Sequence, residues 1–368
     1  MNKLIISTVI LVSSFIGFSQ EYKFTPIVDI SCSEVKSQGN TGTCWSFSTV
    51  SFLESEIKRI TKMDIDISEM YNVRNTYPKK AWNYVMRQGK AQYSQGGLAH
   101  DVLNSVDSFG IVPEMAFTGL ALNETKHNHT EMITVTKAML DGYIKNTNKK
   151  LSPRWKTAYE SILDIYLGEK PKKFDYKGTE YTPKSFQEYV KIIPSNYVTL
   201  TSFNHQPYYK NFILNIPDNF SNGQMYNLPL NELEETLLAA LKKGYTVELD
   251  IDVSEKTFSS KNGIAVIPED DYKQAEALLG IQKEKVITQE FRQKEFENFA
   301  TTDDHLMHIT GFYKDQNGTI YYKTKNSWGS NGDRVKYGGY IYISSAYLRL
   351  KTISITLHKE GLINNKNK

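Results

Sequence analysis

Between Gln38 and Ile60 a loop carrying Gly39 and Gly42 gives way, at Cys44, to apolar residues spaced for a helix. Phe47, Val50, Leu53, Ile57 and Ile60 return every three or four positions, which makes one buried stripe. Cys44 therefore takes the amino end of a buried helix. Unpaired backbone N–H groups and the positive end of the helix dipole favour an anion there. A thiol so placed is expected to lose its proton more easily, and the thiolate is the nucleophilic form. Gln38 can aim its side-chain NH2 back across the loop toward the sulfur. With the backbone N–H of Cys44 it would form an oxyanion hole. The competing reading is a small apolar residue in a core helix, since free cysteines are commonly buried.

The rest of the chain weighs between these readings. Its 368 residues, 40% of them hydrophobic, suffice for a large core and suggest two packed lobes. A net charge of +3 argues for neither nucleic acid nor an acidic membrane as partner. Two cysteines, Cys32 and Cys44, are too few for a cysteine-based zinc site or a disulfide framework. A bridge between them would silence Cys44, so Cys32 is read as a spare thiol. No metal or organic cofactor is expected.

Residues 1–19 have the pattern of an export signal: Lys3, an apolar run from Leu4 to Phe18, and Gly17-Phe18-Ser19 as a small-x-small cleavage site. The alternative is a membrane anchor, but Ser7, Thr8, Ser13 and Ser14 interrupt a run that is already short. A periplasmic or secreted protein beginning near Gln20 is expected, without stable membrane insertion.

Further on, Ser68 is placed to cap a helix. Gly96-Gly97 precedes a helical stripe of Leu98, Val102, Val106 and Phe109, which Gly110 and Pro113 close. Tandem glycines let a backbone come close to a ligand. Residues 120–195 are charged and helical in pattern, and His127 and His129 read as surface loop. Asn231 is placed to cap a helix carrying Leu233, Leu237, Leu238 and Leu241. Val247, Leu249, Ile251 and Val253 alternate with polar residues, as a half-buried strand would.

Two β-like runs flank Lys314–Gly318, so His305 to Asn326 reads as a hairpin. A two-residue turn at Asn317-Gly318 would leave Asn326 opposite Ile309, roughly 13 Å along the strand from His305. A longer loop centred between Asp315 and Gln316 would set His305 directly opposite Asn326, and that register is the expected one. An asparagine carbonyl beside an imidazole fixes its tautomer and orientation. Trp328 can cover that hydrogen bond. His308, three residues along, is the structural histidine of the pair.

With these residues in hand, the sequence resembles the papain-like cysteine peptidases. The matching blocks are Gln38 with Cys44-Trp45-Ser46-Phe47-Ser48, then Gly96-Gly97, then Asp304-His305, then Lys325-Asn326-Ser327-Trp328-Gly329 with Gly339-Tyr340-Ile341. His305 follows Cys44 at far more than the roughly 130–150 residues of the compact pattern. That spacing, Gln95 to Leu98, Phe109 to Pro113, Tyr181 to Phe186 and Asp252 to Phe258 are similar to the bleomycin hydrolase/aminopeptidase C group. The resemblance implies an α+β, papain-like two-lobe fold: a helical lobe, residues 20–195, and an antiparallel β-barrel-like lobe, residues 196–368, with the cleft between them. It implies Cys44 as nucleophile, His305 as general base and acid, Asn326 orienting the imidazole and Gln38 in the oxyanion hole. Gly96 and Gly97 would pair with the substrate backbone, and Trp328 would line the site. It also implies ring-like homo-oligomers and a carboxyl terminus that enters the cleft to hold the substrate's free amine. The chain departs from the wider pattern at Thr41, where many members carry a disulfide cysteine, and at Thr43.

The expected function is thus a cysteine peptidase that acts on peptides through an acyl-enzyme, as an aminopeptidase. The alternatives are an open-cleft endopeptidase and a non-catalytic peptide-binding relative.

Overall fold

The computed structural model describes residues 20–120, 124–146, 150–332 and 335–363; the expected leader, 1–19, and the last five residues lie outside the described residues. The Cys44–Thr61 helix starts where the apolar spacing puts it. It buries more than a stripe, because every side chain from Cys44 to Ile57 is buried. Three of its polar positions bond backbone carbonyls. Ser46 Oγ donates to the Glu69 carbonyl at 2.7 Å, Ser48 Oγ to Met307 at 2.6 Å and Thr49 Oγ1 to Trp45 at 2.7 Å. The helices Glu69–Met86 and Ala99–Phe109 pack beside it, and its other side lies on the strand His305–Lys314. Ser68 caps the Glu69 helix by accepting from the Tyr71 amide at 3.0 Å. Gly110 stops the Ala99 helix at φ 87°, where a Cβ would strike the backbone of Pro183. The 120–195 stretch supplies helices Thr130–Ile144, Arg154–Leu167 and Pro183–Val190, with a small hairpin before the last.

Eleven strands make one large sheet. Its spatial order is Asn211–Ile213, Gln224–Asn227, Tyr197–Thr201, Thr352–His358, Val247–Ile251, His305–Lys314, Ile320–Lys325, Tyr340–Ser344, Ile264–Ala265, Phe258–Ser259, with Thr25–Asp29 beside His305–Lys314. Most neighbours are antiparallel, but Tyr197–Thr201 and Tyr340–Ser344 each have one parallel partner. The α+β content agrees with expectation, while the sheet is open rather than a closed barrel. Two large apolar clusters form the interior. One gathers the Cys44 helix and its helical neighbours, the other the central strands and the helix Leu230–Lys242.

Four local expectations are corrected. The strand Val247–Ile251 is buried on both faces, so Glu248 and Asp250 are 0% exposed. A strand between two others, covered on both sides, has no solvent face, whatever its alternation. Pro229, not Asn231, flanks the Leu230 helix, and Gln289 Oε1 accepts from the Leu230 amide at 2.9 Å. His129 is buried against Tyr77 rather than on a surface loop. The hairpin register is neither of the two considered. Asp315 Oδ1 accepts from the amides of Asn317 and Thr319, each at 2.9 Å, and closes a longer turn. Lys314 then pairs with Ile320 and, past a bulge, His308 with Lys325. Asn326 consequently falls just beyond the last pair, offset from His305.

After Thr352–His358 the chain turns onto the Leu230 helix. Lys243 Nζ donates to the carbonyls of Glu360 at 3.2 Å and Leu362 at 2.6 Å. Tyr245 binds Glu360 at 2.8 Å, and the Arg59 guanidinium sits 4.4 Å from the Tyr245 ring. Among the described residues no helix is long and apolar enough to cross a membrane.

Candidate active site

The loop before Cys44 is tied to the glycine pair by one residue. Gln95 Oε1 accepts from the Gly42 amide at 2.7 Å, and its carbonyl accepts from Trp45 Nε1 at 2.9 Å. Cys44 and Gly96-Gly97 thereby line one cleft of about 390 Å³ with Asp218, Asp303 and Leu306. The glycines meet protein as well as space. A Cβ on Gly96 would overlap the Asp218 carboxylate, and one on Gly97 would lie 3.1 Å from the Trp45 ring. Lys80 Nζ donates to the Gly96 carbonyl from beneath.

Cys44 is 8% exposed, and neither it nor Cys32 is in a disulfide. Its thiol accepts from the backbone N–H of Leu306, the residue after His305, and from that of Trp45. Burial nevertheless pushes it up to about 12, against the lowering expected from the helix end. The two amides pull it down, but lost water outweighs them. His305 is pushed down to about 4 for the same reason, with Asn326 pulling the other way. Both groups are therefore neutral in the substrate-free cleft, and a thiolate–imidazolium pair would require each charge to stabilise the other.

His305 Nε2 donates to Asn326 Oδ1 at 2.7 Å. The same oxygen accepts from the Ser327 amide at 2.8 Å, which fixes it as the oxygen. Nδ1 of His305 is then the basic nitrogen. Although the two residues are not cross-strand partners, side-chain length covers the offset. The Trp328 ring lies 4.8 Å from the His305 ring and is 42% exposed, so it forms an outer cover. Gln38 is held at both ends: Nε2 donates to the Thr41 carbonyl at 2.6 Å, and Oε1 accepts from Ser327 Oγ at 2.6 Å. One of its two N–H groups is thus spent on the loop, and the other remains for a ligand. His308 stands apart, with Nδ1 2.9 Å from Ser51 Oγ.

Reading the sequence missed Asp218 and Asp303 and took Asp304 only as part of the His305 block. Asp303 and Asp304 directly precede His305, which was a signal available in the chain. Asp218 sits in a loop with no motif to mark it.

The Peptidase C1-like family matches residues 85–368. Aminopeptidase G of Lactobacillus delbrueckii subsp. lactis is 24% identical over 89% of this chain and 81% of its own length. Aminopeptidase C of Streptococcus thermophilus is 23% identical over 93% and 84%. In fold, the crystal structure of PepW from Lactobacillus rhamnosis HN001 superposes with a TM-score of 0.75 at 18% identity, over 92% of this chain and 83% of that one. The chain belongs to the Peptidase C1-like family, within the papain-like cysteine peptidase group.

Proposed function

We propose that this protein is an exported aminopeptidase that hydrolyses peptide bonds in a cleft between two lobes, through Cys44, His305 and Asn326. His305 Nδ1 takes the Cys44 proton as the sulfur attacks the scissile carbonyl. The Cys44 amide and the remaining Gln38 N–H bind the oxyanion; the imidazolium passes its proton to the departing amine as the C–N bond breaks, and water, losing a proton to His305, then cleaves the thioester and returns that proton to the Cys44 sulfur. Gly96 and Gly97 offer backbone groups to the substrate chain, and Trp328 shields the imidazole. The carrying observation is the 2.7 Å bond from His305 Nε2 to Asn326 Oδ1, since it leaves Nδ1 as the base next to Leu306, whose amide the Cys44 sulfur accepts. The names of the relatives support amino-terminal action. The signal-like stretch at 1–19 supports export.

Cys44→Ala is expected to abolish hydrolysis of aminoacyl fluorogenic amides while leaving the circular dichroism spectrum unchanged. Undiminished turnover would remove Cys44 as the nucleophile.

One observation favours the second reading, an open-cleft endopeptidase. The described tail is anchored near Arg59, fifteen residues along the helix from Cys44 and so roughly 22 Å away along its axis. Mass spectrometry of the products from one long peptide, with free and with acetylated amino termini, separates the two. Cleavage of the acetylated peptide at internal bonds would establish the endopeptidase.

A further inference from the structure

The cleft beside Cys44 has an unusual charge. Asp218, Asp303 and Asp304 line it; His305 lies outside this lining, and no Lys or Arg belongs to it among the described residues. Asp303 shares a side-chain hydrogen bond with the buried Asp250, and no cation forms an ion pair with Asp218, Asp303 or Asp304 among the described residues. Asp218 accepts from Gln92 Nε2 at 2.8 Å and Ser94 Oγ at 3.4 Å, and Asp304 from Thr302 Oγ1 at 2.9 Å. Asp303 finds no N–H or hydroxyl donor for its buried oxygen Oδ2. Behind it lies Asp250, 0% exposed, whose carboxyl group faces Asp303 while its Oδ1 also lacks such a donor. The nearest cation, Lys80, is committed to the Gly96 carbonyl and the Phe220 ring, and it forms no ion pair with either aspartate among the described residues.

A buried carboxylate oxygen without a donor costs free energy that a fold has no reason to retain for stability. Its neighbours repel it further: burial, then Asp218, push Asp303 up to about 7. An incoming cation with several N–H donors would reverse both effects. Among the described residues no group of His, Cys, Asp and Glu is arranged to hold a metal ion, so the chemistry fits an alkyl-ammonium. In a peptide, that group is either the α-amine or a lysine side chain. Asp218 stands against Gly96, beside the glycines along which a substrate backbone would lie, and this position favours the α-amine.

We propose that Asp218 and Asp303 bind the protonated α-amino group of the substrate and so confine cleavage to its amino end. This rests on the proposed peptidase function. It assigns the amine anchor to the cleft walls rather than to the carboxyl terminus that the family resemblance implied.

The test measures binding without turnover. In the full-length Cys44→Ala protein, calorimetry compares alanyl-phenylalanine amide, its acetylated form, and acetyl-lysyl-phenylalanine amide. The free amine is expected to bind about tenfold more tightly than the acetylated form. Asp218→Asn and Asp303→Asn, made separately in the same background, are each expected to reduce that preference severalfold. Asp218→Asn serves alone if Asp303→Asn does not fold. Equal affinity for the free and acetylated peptides overturns the proposal, as does a preference that survives the substitutions. Acetyl-lysyl peptide binding as tightly as the free amine moves the site to a side chain and overturns the α-amine assignment. A Cys44→Ala protein that still hydrolyses peptide defeats the proposed mechanism while leaving the binding comparison readable.

Discussion

Two central elements, the Cys44–Thr61 helix and the Val247–Ile251 strand, are buried nearly all round, and they treat polar groups in opposite ways. On the helix the polar residues are mostly small hydroxyls, and Ser46, Ser48 and Thr49 each find a carbonyl. On the strand they are acids. Glu248 has only the hydroxyls of Thr356 and Ser48 to turn to, and Asp250 faces the carboxyl group of Asp303. A satisfied hydroxyl adds about 1 kcal/mol of stability, whereas an unpaired buried acid must stay protonated or carry a large penalty. The helix thus satisfies most of its small polar groups and carries one burial-shifted acid, Glu54, whereas the strand's two polar residues are both such acids.

The contrast breaks most visibly in the pH dependence of stability. Burial holds Glu248 up to about 8 and Asp303 up to about 7, and Asp250 well above the usual carboxylate range. In the unfolded chain these groups ionise near pH 4. Between there and about pH 8 the folded state keeps protons that the unfolded state has released. Stability is therefore greatest in mild acid and falls as pH rises through that window. Glu54, Glu69, Glu114 and Glu284 are also pushed up to about 7 by burial, so urea unfolding at pH 5 and pH 8 should differ by several kcal/mol, of which Glu248→Gln should remove a part. An unchanged pH profile in that variant would place the difference elsewhere.

The next largest effect is expected at Asn326, the polar side chain of the site that the fold does satisfy. Asn326→Ala should lower kcat/KM by about 10²-fold through a loosened imidazole, with little change in KM. A loss confined to KM would mean that Asn326 acts on substrate rather than on His305. Smallest is Thr49→Val, which removes the bond to the Trp45 carbonyl while keeping the side-chain volume. It should cost about 1 kcal/mol in urea unfolding, with no pH dependence between 5 and 8. A larger cost, or one that varies with pH, would blur the distinction between helix and strand.

Much of this was legible in the chain. Apolar spacing alone located the Cys44 helix and its first residue, and glycine and serine chemistry located the Ser68 cap and the Gly110 stop. What sequence could not show was burial contributed by distant segments. The alternation at Val247 to Ile251 looked half-exposed because the layers over its faces come from the distant helices Cys44–Thr61 and Leu230–Lys242. The hairpin register failed for a local reason: the turn was chosen to bring His305 opposite Asn326, when Asp315 had already determined its length. His129 was misplaced because nothing near it in sequence announces Tyr77. The cleft acids split the same way, since Asp303 and Asp304 adjoin a recognised motif whereas Asp218 reaches Gly96 only through the fold.

The strand Thr352–His358 lies inside the sheet, between Tyr197–Thr201 and Val247–Ile251, yet it is the last strand of the described chain to be made. On the ribosome, the segments on either side of that gap emerge long before the piece that joins them. His305 pairs with Ile251, whose other neighbour is Thr352 from that late piece, so the imidazole's platform is completed only after the His305 and Asn326 segments have themselves been made. Vectorial synthesis thereby makes the assembly of the site wait on a segment that carries none of its side chains.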